Sequence, residues 1–131
     1  MARHVKDMVA EAEAVIETLT VEEVAAMADD PDVQIVDLRD RRELEREGRI
    51  PGAFHCPRGM LEFWIDPDSP YHHAVFAAPR RFVFYCGMGW RSALSTRTAQ
   101  EMGLDRVAHI GGGFTAWTEK GLPVEAVPKK G

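Results

Sequence analysis

Apolar positions at the start of the chain follow the period of a helix. Between residues 5 and 19 they recur at steps of three and four, which places them on one face of an amphipathic helix: Val5, Met8, Val9, Ala12, Val15, Ile16 and Leu19. A second helix is predicted to begin at Thr20, because Thr20 and Glu23 have the spacing of a capping box. Pro31 ends this helix, because proline disfavours the helical conformation of the residue before it.

Four short apolar runs predict strands. They are rich in β-branched and aromatic residues and are bounded by turn-forming ones, and they cover residues 33–38, 53–56, 81–86 and 106–110. The third run contains four successive bulky residues, Phe-Val-Phe-Tyr. Such a run is typical of a strand that is buried on both faces in a parallel sheet.

Helical segments separate these strands. Helices or helical turns are predicted from Asp40 to about Glu47 and over 59–65, 91–102 and 114–120, while residues 71–78 are compatible with a short helix. The alternation predicts an α/β fold with a central, mainly parallel sheet. Ligands bind outside the carboxyl ends of the strands in such sheets, and the clearest strand ends at Cys86.

Composition narrows the function classes. The chain has 131 residues, 45% of them hydrophobic, which fits one compact domain. A net charge of -5 gives no electrostatic footprint for nucleic acid or an anionic membrane. The first 14 residues carry several charges and lack the apolar segment of a secretory signal. No stretch approaches the roughly 20 apolar residues of a membrane span.

The two cysteines, Cys56 and Cys86, point to a single reactive thiol. Their spacing gives neither a disulfide framework nor a metal site, so we expect no metal or cofactor and a reducing cytoplasmic setting. Cys56 is interpreted as a buried spacer beside Pro57.

The segment after Cys86 has the composition of an anion cradle: Cys86-Gly87-Met88-Gly89-Trp90-Arg91-Ser92. Its glycines allow backbone N–H groups to turn towards one point, and the start of the following helix adds partial positive charge. Such a cradle stabilises a thiolate. Arg91 adds a cation that could grip an anionic substrate, and Met88 and Trp90 could line the entrance.

Four segments in order resemble the landmarks of rhodanese domains, over about residues 20–123. The Cys86 loop, in which four residues separate Cys86 from Arg91, is similar to the family's active-site loop. The other three segments are Ile35-Val36-Asp37-Leu38-Arg39, Gly48-Arg49-Ile50-Pro51-Gly52-Ala53 and Gly111-Gly112-Gly113-Phe114-Thr115-Ala116-Trp117. One departure is Arg49, where the family usually has histidine.

The resemblance implies a single-domain sulfurtransferase. It implies a three-layer sandwich in which a five-stranded, mainly parallel sheet carries helices on both faces. Cys86 would take a sulfane sulfur from a small donor such as thiosulfate and pass the persulfide sulfur to a thiol or cyanide. Asp37 and Arg39 would support the site. Residues 20–131 would form the rhodanese-like domain and residues 1–19 a helical extension that packs on it or joins two copies, so the chain would be a monomer or a homodimer.

Three alternatives stay open. A protein persulfide carrier differs from the enzyme only in passing its sulfur to a protein. A non-catalytic regulatory module would not need Cys86 and Arg91. A cysteine phosphatase or arsenate reductase on the same fold resembles Cys-x5-Arg, one residue longer than the spacing here, and that wider loop suits an oxyanion better than a single sulfur.

The glycine run invites a further interpretation. Gly111-x-Gly113-x-x-Ala116 matches a dinucleotide-binding pattern, but the strand and the acidic residue that complete this fingerprint cannot follow within the sequence, which has only 131 residues. A tight turn that lets the last helix pack closely is the better interpretation.

Overall fold

A computed structural model describes residues 2–130 as alternating strands and helices. The strands are β1 (Glu17–Leu19), β2 (Val33–Asp37), β3 (Phe54–His55), β4 (Arg81–Tyr85) and β5 (Val107–Ile110). The helices are α1 (Val5–Glu13), α2 (Val21–Met27), α3 (Arg41–Glu47), α4 (Leu61–Ile65), α5 (Trp90–Glu101) and α6 (Gly113–Glu119). Two 3₁₀ turns, Arg58–Met60 and Ala74–Ala77, precede α4 and β4.

The five strands form one sheet in the order β1-β5-β4-β2-β3. Every neighbouring pair is parallel, which confirms the predicted α/β class and strand number. The central strand, β4, alternates its side chains between two apolar cores. Val83 and Tyr85 face the core that contains residues of α2 and α6, while Phe82 and Phe84 face the core that contains residues of α4 and α5. The sheet therefore has helices on both faces, as the three-layer prediction requires.

The prediction of a helical extension over residues 1–19 is wrong in its last part. Glu17–Leu19 is an outer strand of the sheet and pairs with β5 from Ala108 to Ile110. Leu19 is its one buried residue and lies in phase with the helical pattern before it. Periodicity therefore could not distinguish a strand from a continued helix over residues 17–19. Residue 1 lies outside the described residues, as does residue 131 of the predicted domain.

The remaining part of the extension, α1, packs on the helix that follows Cys86. Val9 and Ala12 are buried against Ala93 of α5, with Ile16 and Leu94 beside them. Of the two roles considered for the extension, packing on its own domain is therefore observed. No helix within residues 2–130 is long and apolar enough to cross a membrane.

Two predicted helix starts are confirmed in detail. The Thr20 side chain accepts from the Glu23 N–H at 3.1 Å, and the Glu23 carboxylate accepts from the Thr20 N–H at 2.9 Å. Asp40 and Glu43 form the same reciprocal arrangement at the start of α3. The predicted strand 53–56 is shorter than expected, because only Phe54–His55 pairs with β2.

Candidate functional site

Cys86 follows β4 directly and lies at the carboxyl end of the sheet. Its side chain is 1% exposed. The sulfur accepts the backbone N–H of Gly89 at 3.2 Å and that of Ser92 at 3.4 Å, and the Ser92 hydroxyl oxygen lies 3.6 Å away. The chain thus curls around the sulfur and aims donors at it, an arrangement that stabilises a thiolate or a persulfide anion.

The curl depends on Gly89, which caps the start of α5. Its φ of 117° is in the region that favours glycine. With Gly89 in this conformation, the first turn of the twelve-residue helix α5 begins over the sulfur. The partial positive charge of the helix start therefore acts at Cys86.

The start of α6 is hydrogen-bonded to the Cys86 loop. Phe114 donates its N–H to the Cys86 carbonyl at 2.8 Å, and Thr115 donates to the Gly87 carbonyl at 3.0 Å. This approach requires a glycine at position 113, because a Cβ there would lie 2.6 Å from the Cys86 oxygen and 2.7 Å from the Gly87 oxygen. The glycine run therefore joins α6 to the cysteine loop, which is consistent with the tight-turn interpretation.

A buried polar chain leads away from Cys86 into the sheet. The Ser92 hydroxyl lies 2.9 Å from Nδ1 of His109, and Nε2 of His109 lies 3.1 Å from the Thr18 hydroxyl. His109 is 1% exposed, and burial lowers its pKa to about 4. The imidazole is therefore neutral near pH 7 and links β1 and β5 to the cysteine loop.

Arg91 makes a bidentate ion pair with Glu43 of α3. The two guanidinium nitrogens lie 2.8 and 3.1 Å from the two carboxylate oxygens. The hydrogen bonds from Arg91 lower the pKa of Glu43, and those with Glu43, together with the nearby Cys86, raise the pKa of Arg91. The sequence analysis treated Arg91 as a cation available to substrate, whereas the structure shows it paired.

An open cleft of about 630 Å³ leads to Cys86. Its lining contains two carboxylates, one guanidinium and two exposed apolar side chains: Glu43, Glu47, Cys86, Gly87, Met88, Trp90, Arg91 and Thr115. Met88 is 75% and Trp90 is 54% exposed. These two side chains give the entrance an apolar wall.

Asp37 and Arg39 are fully buried, and Arg39 is joined to the cleft through Glu47, whose carboxylate accepts from it at 3.2 Å. Arg39 donates to both carboxylate oxygens of Asp37, at 3.0 and 2.8 Å, and the hydroxyl of Tyr85 donates to the same carboxylate. The Arg39 guanidinium also stacks 4.2 Å from the ring centre of Phe114. The cluster holds the residue before Cys86 and the helix behind the loop, so these two residues reach the cysteine only through other groups.

The structure also shows the surroundings of Cys56 and Arg49. Cys56 is buried, and burial raises the pKa of its thiol to about 12, which leaves it unreactive at neutral pH. Arg49, which replaces the expected histidine, forms an ion pair of 2.6 Å with Glu125. Among residues 2–130 no group of three metal-ligating side chains comes together.

The sequence analysis missed Glu43, His109 and Thr18. The signal for His109 was its position as the polar residue of an otherwise apolar strand, Val-Ala-His-Ile, just before the glycine run. A histidine buried in such a strand needs hydrogen-bond partners. Glu43 carried no separate signal, because its capping-box position explains it without a site.

Comparisons with known proteins find similar proteins over most of the chain. A solved structure from Rhodopseudomonas palustris, of unknown function and described as a possible tyrosine phosphatase, is 55% identical over 95% of this chain and 96% of its own, with a TM-score of 0.93. The polysulfide-sulfur transferase homodimer of Wolinella succinogenes is 28% identical over 93% of this chain and 87% of its own, with a TM-score of 0.70.

Longer proteins contain a related segment. The tRNA uridine(34) hydroxylase of Cronobacter sakazakii is 31% identical over 98% of this chain but only 37% of its own length. The chain spans 33% to 66% of the length of curated relatives of this kind. The family model for the rhodanese-like domain matches residues 20–120. With the fold, the cysteine loop and this match, the chain belongs to the rhodanese-like domain family.

Proposed function

We propose that the protein is a sulfurtransferase that carries a sulfane sulfur as a persulfide on Cys86. The observation that carries the proposal is the pair of backbone N–H groups, from Gly89 and Ser92, that point at the Cys86 sulfur at the base of an open cleft. Preorganised donors of this kind stabilise an anion without rearranging during the reaction. Membership of the rhodanese-like family and the similarity to the polysulfide-sulfur transferase of Wolinella succinogenes support the same chemistry.

In the first half of the cycle the Cys86 thiolate attacks the outer sulfur of a donor. With thiosulfate, a new S–S bond forms to Cys86, the original S–S bond breaks, and sulfite leaves with the bonding electron pair. The enzyme then carries Cys86–S–S⁻, and the charge of the reactants is conserved. The N–H groups of Gly89 and Ser92 contact the sulfur of Cys86 itself, so they stabilise the thiolate that attacks and hold the inner sulfur of the persulfide.

In the second half a thiophilic acceptor removes the outer sulfur. Cyanide attacks it to give thiocyanate, or a thiolate attacks it to give a new persulfide, and the Cys86 thiolate is regenerated. Because Met88 and Trp90 are exposed beside the cleft, a thiol on another protein could also approach. The carrier alternative thus uses the same first half of the cycle.

A phosphatase is the second candidate, since the similar Rhodopseudomonas palustris protein is described as a possible tyrosine phosphatase. Two features favour sulfur over a phosphoryl group. The spacing from Cys86 to Arg91 leaves room for four residues, and Arg91 is already paired with Glu43. A phosphoryl dianion would need that guanidinium and would meet the carboxylates of Glu43 and Glu47 in the cleft.

The decisive experiment measures intact mass after incubation with thiosulfate or polysulfide. We expect the wild type and Cys56→Ala to gain sulfur, and Cys86→Ser to gain none while remaining folded. Cyanide should then remove the added sulfur and give thiocyanate. A gain of sulfur by Cys86→Ser equal to that of the wild type would overturn the mechanism. Release of phosphate from an aryl phosphate, dependent on Cys86 and without sulfur loading, would favour the phosphatase instead.

A further inference from the structure

Glu43 is held rigidly at the edge of the cleft by groups from two elements. Its Oε1 accepts from the Asp40 N–H at 3.0 Å, within the capping box of α3, and also from Arg91 at 2.8 Å. Its Oε2 accepts the second guanidinium nitrogen at 3.1 Å. The carboxylate is 22% exposed, and Arg91 lowers its pKa, so it is ionised at neutral pH.

The pairing changes the charge that an incoming donor meets. Arg91 is the one cation among the residues that line the cleft, and Glu43 matches its charge. The other carboxylate of the lining, Glu47, is paired with Arg39 and Arg46. A Cβ on Gly87 would lie 3.2 Å from the Arg91 guanidinium and 4.0 Å from the Glu43 carboxylate. The pair therefore lies beside Gly87, in the loop that follows Cys86 and lines the cleft.

A leaving group with two negative charges is disfavoured in this position. Sulfite, which leaves from thiosulfate, carries two negative charges and would have to compete with Glu43 for the bidentate face of Arg91. An organic persulfide, R–S–SH, has no such requirement. Its thiolate leaving group carries one charge, and its R group can rest on the exposed side chains of Met88 and Trp90.

We propose that Glu43 is the specificity-determining residue of the Cys86 site, and that it selects apolar organic persulfides over thiosulfate as sulfur donors. This inference rests on the proposed sulfurtransferase function. In the transfer step the Cys86 thiolate bonds to the outer sulfur of R–S–SH, the S–S bond of the donor breaks, and R–S⁻ leaves with the electron pair. The proton stays on the transferred sulfur, which gives Cys86–S–SH, so atoms and charge balance.

Glu43→Gln isolates the charge of this residue. Glutamine keeps the capping box but releases Arg91 from its ion pair. The matched control is Glu45→Gln, since Glu45 lies on the same helix and pairs with Arg41 at 3.0 Å but does not line the cleft. Thermal unfolding of both variants verifies that the fold is retained.

The measurement is the single-turnover rate at which intact Cys86 gains one sulfur, with thiosulfate or with benzyl hydropersulfide released in solution from a precursor. We expect the wild type to load faster from benzyl hydropersulfide. Glu43→Gln should raise loading from thiosulfate about fivefold relative to loading from the persulfide, in proportion to a partly exposed ion pair. Glu45→Gln should change neither rate.

Each outcome decides between the two proposals. If Glu43→Gln leaves the thiosulfate rate unchanged, or raises the rates for both donors equally, the role of Glu43 is overturned while sulfur transfer stands. Faster loading of the wild type from thiosulfate overturns the donor class in the same way. Loading from neither donor overturns the sulfurtransferase function itself.

Discussion

Ser92 connects the cysteine loop to a buried histidine: its hydroxyl oxygen lies 2.9 Å from Nδ1 of His109 and 3.6 Å from the sulfur of Cys86. The same hydroxyl is within 3.2 Å of the Gly89 carbonyl, so its proton has three acceptors to choose between. When the sulfur is negatively charged, a hydroxyl in this place can serve as a third donor to it. We therefore expect the side chain of Ser92 to stabilise an anionic sulfur together with its N–H.

Ser92→Ala should slow the reaction of Cys86 with iodoacetamide at pH 7, and its loading with sulfur, by about tenfold, because a donor to the anionic sulfur is lost. The matched control is Ser95→Ala on the same helix, whose hydroxyl only donates to the Arg91 carbonyl at 2.6 Å. Equal alkylation rates for the two variants would show that the Ser92 hydroxyl does not act on the sulfur.

Burial of His109 should make stability depend on pH. Because its pKa is about 4 in the folded chain, against 6.5 for an unperturbed histidine, the unfolded chain binds the proton more readily. Its contribution is fully present above about pH 6.5 and is lost as the pH falls towards 4, by about 3 kcal/mol in total. Denaturant unfolding at several pH values measures this slope.

His109→Gln should flatten that part of the profile, whereas His4→Gln, which changes an exposed histidine, should keep the wild-type slope. The difference between the wild type and His109→Gln thus isolates the histidine from the carboxylates that titrate in the same range. A slope that is identical in all three proteins would contradict the assignment.

Gly113→Ala should damage both the fold and the cysteine loop. Gly113 and Gly121 share a positive φ, 58° and 69°, but a Cβ at Gly121 meets nothing within 4 Å. Gly121→Ala should therefore cost only the backbone strain, about 1–2 kcal/mol, and keep sulfur loading. Gly113→Ala adds contacts of 2.6 and 2.7 Å with the loop carbonyls. It should be the less stable variant and should lose most of the loading rate, as unfolding curves and mass spectrometry would show.

Asp37→Asn should destabilise the fold by about 3 kcal/mol, because the buried Arg39 would keep only the partly exposed Glu47 as its counter-ion. Asp32→Asn is the matched control, since its ion pair with Arg106 lies on the surface, where such pairs contribute little. Folded Asp37→Asn protein, at low temperature, should still load sulfur on Cys86. Wild-type stability in Asp37→Asn would contradict a structural role for the cluster.

The sequence predicted the sheet and the cysteine loop well, because both have local signatures. Four apolar runs, the Thr20 capping box, the helix start at Asp40 and the Gly87 and Gly89 turns are each recognised within a few neighbouring residues. The edge strand Glu17–Leu19 was missed, because three residues with one buried side chain have no period of their own. Its strand conformation comes from pairing with β5, 91 residues away.

The sequence predicted only the part of the candidate site that lies within residues 86–92. Cys86 to Ser92 are adjacent in the sequence, whereas Glu43 and His109 reach them across the fold, 48 and 17 residues from their partners. Arg91 was therefore interpreted as a free cation. Such pairings depend on which helices and strands become neighbours, and that information is not local.

The two outer strands of the sheet are also its shortest: β1 has three residues and β3 has two. The exposed edge of a sheet offers unpaired N–H and C=O groups to which a strand from another molecule can add. Here each edge strand is only two or three residues long, and β1 carries Glu17, which is paired with Arg81. The fold therefore gives little template for fibril growth, so the protein should resist aggregation through strand addition even when it is concentrated.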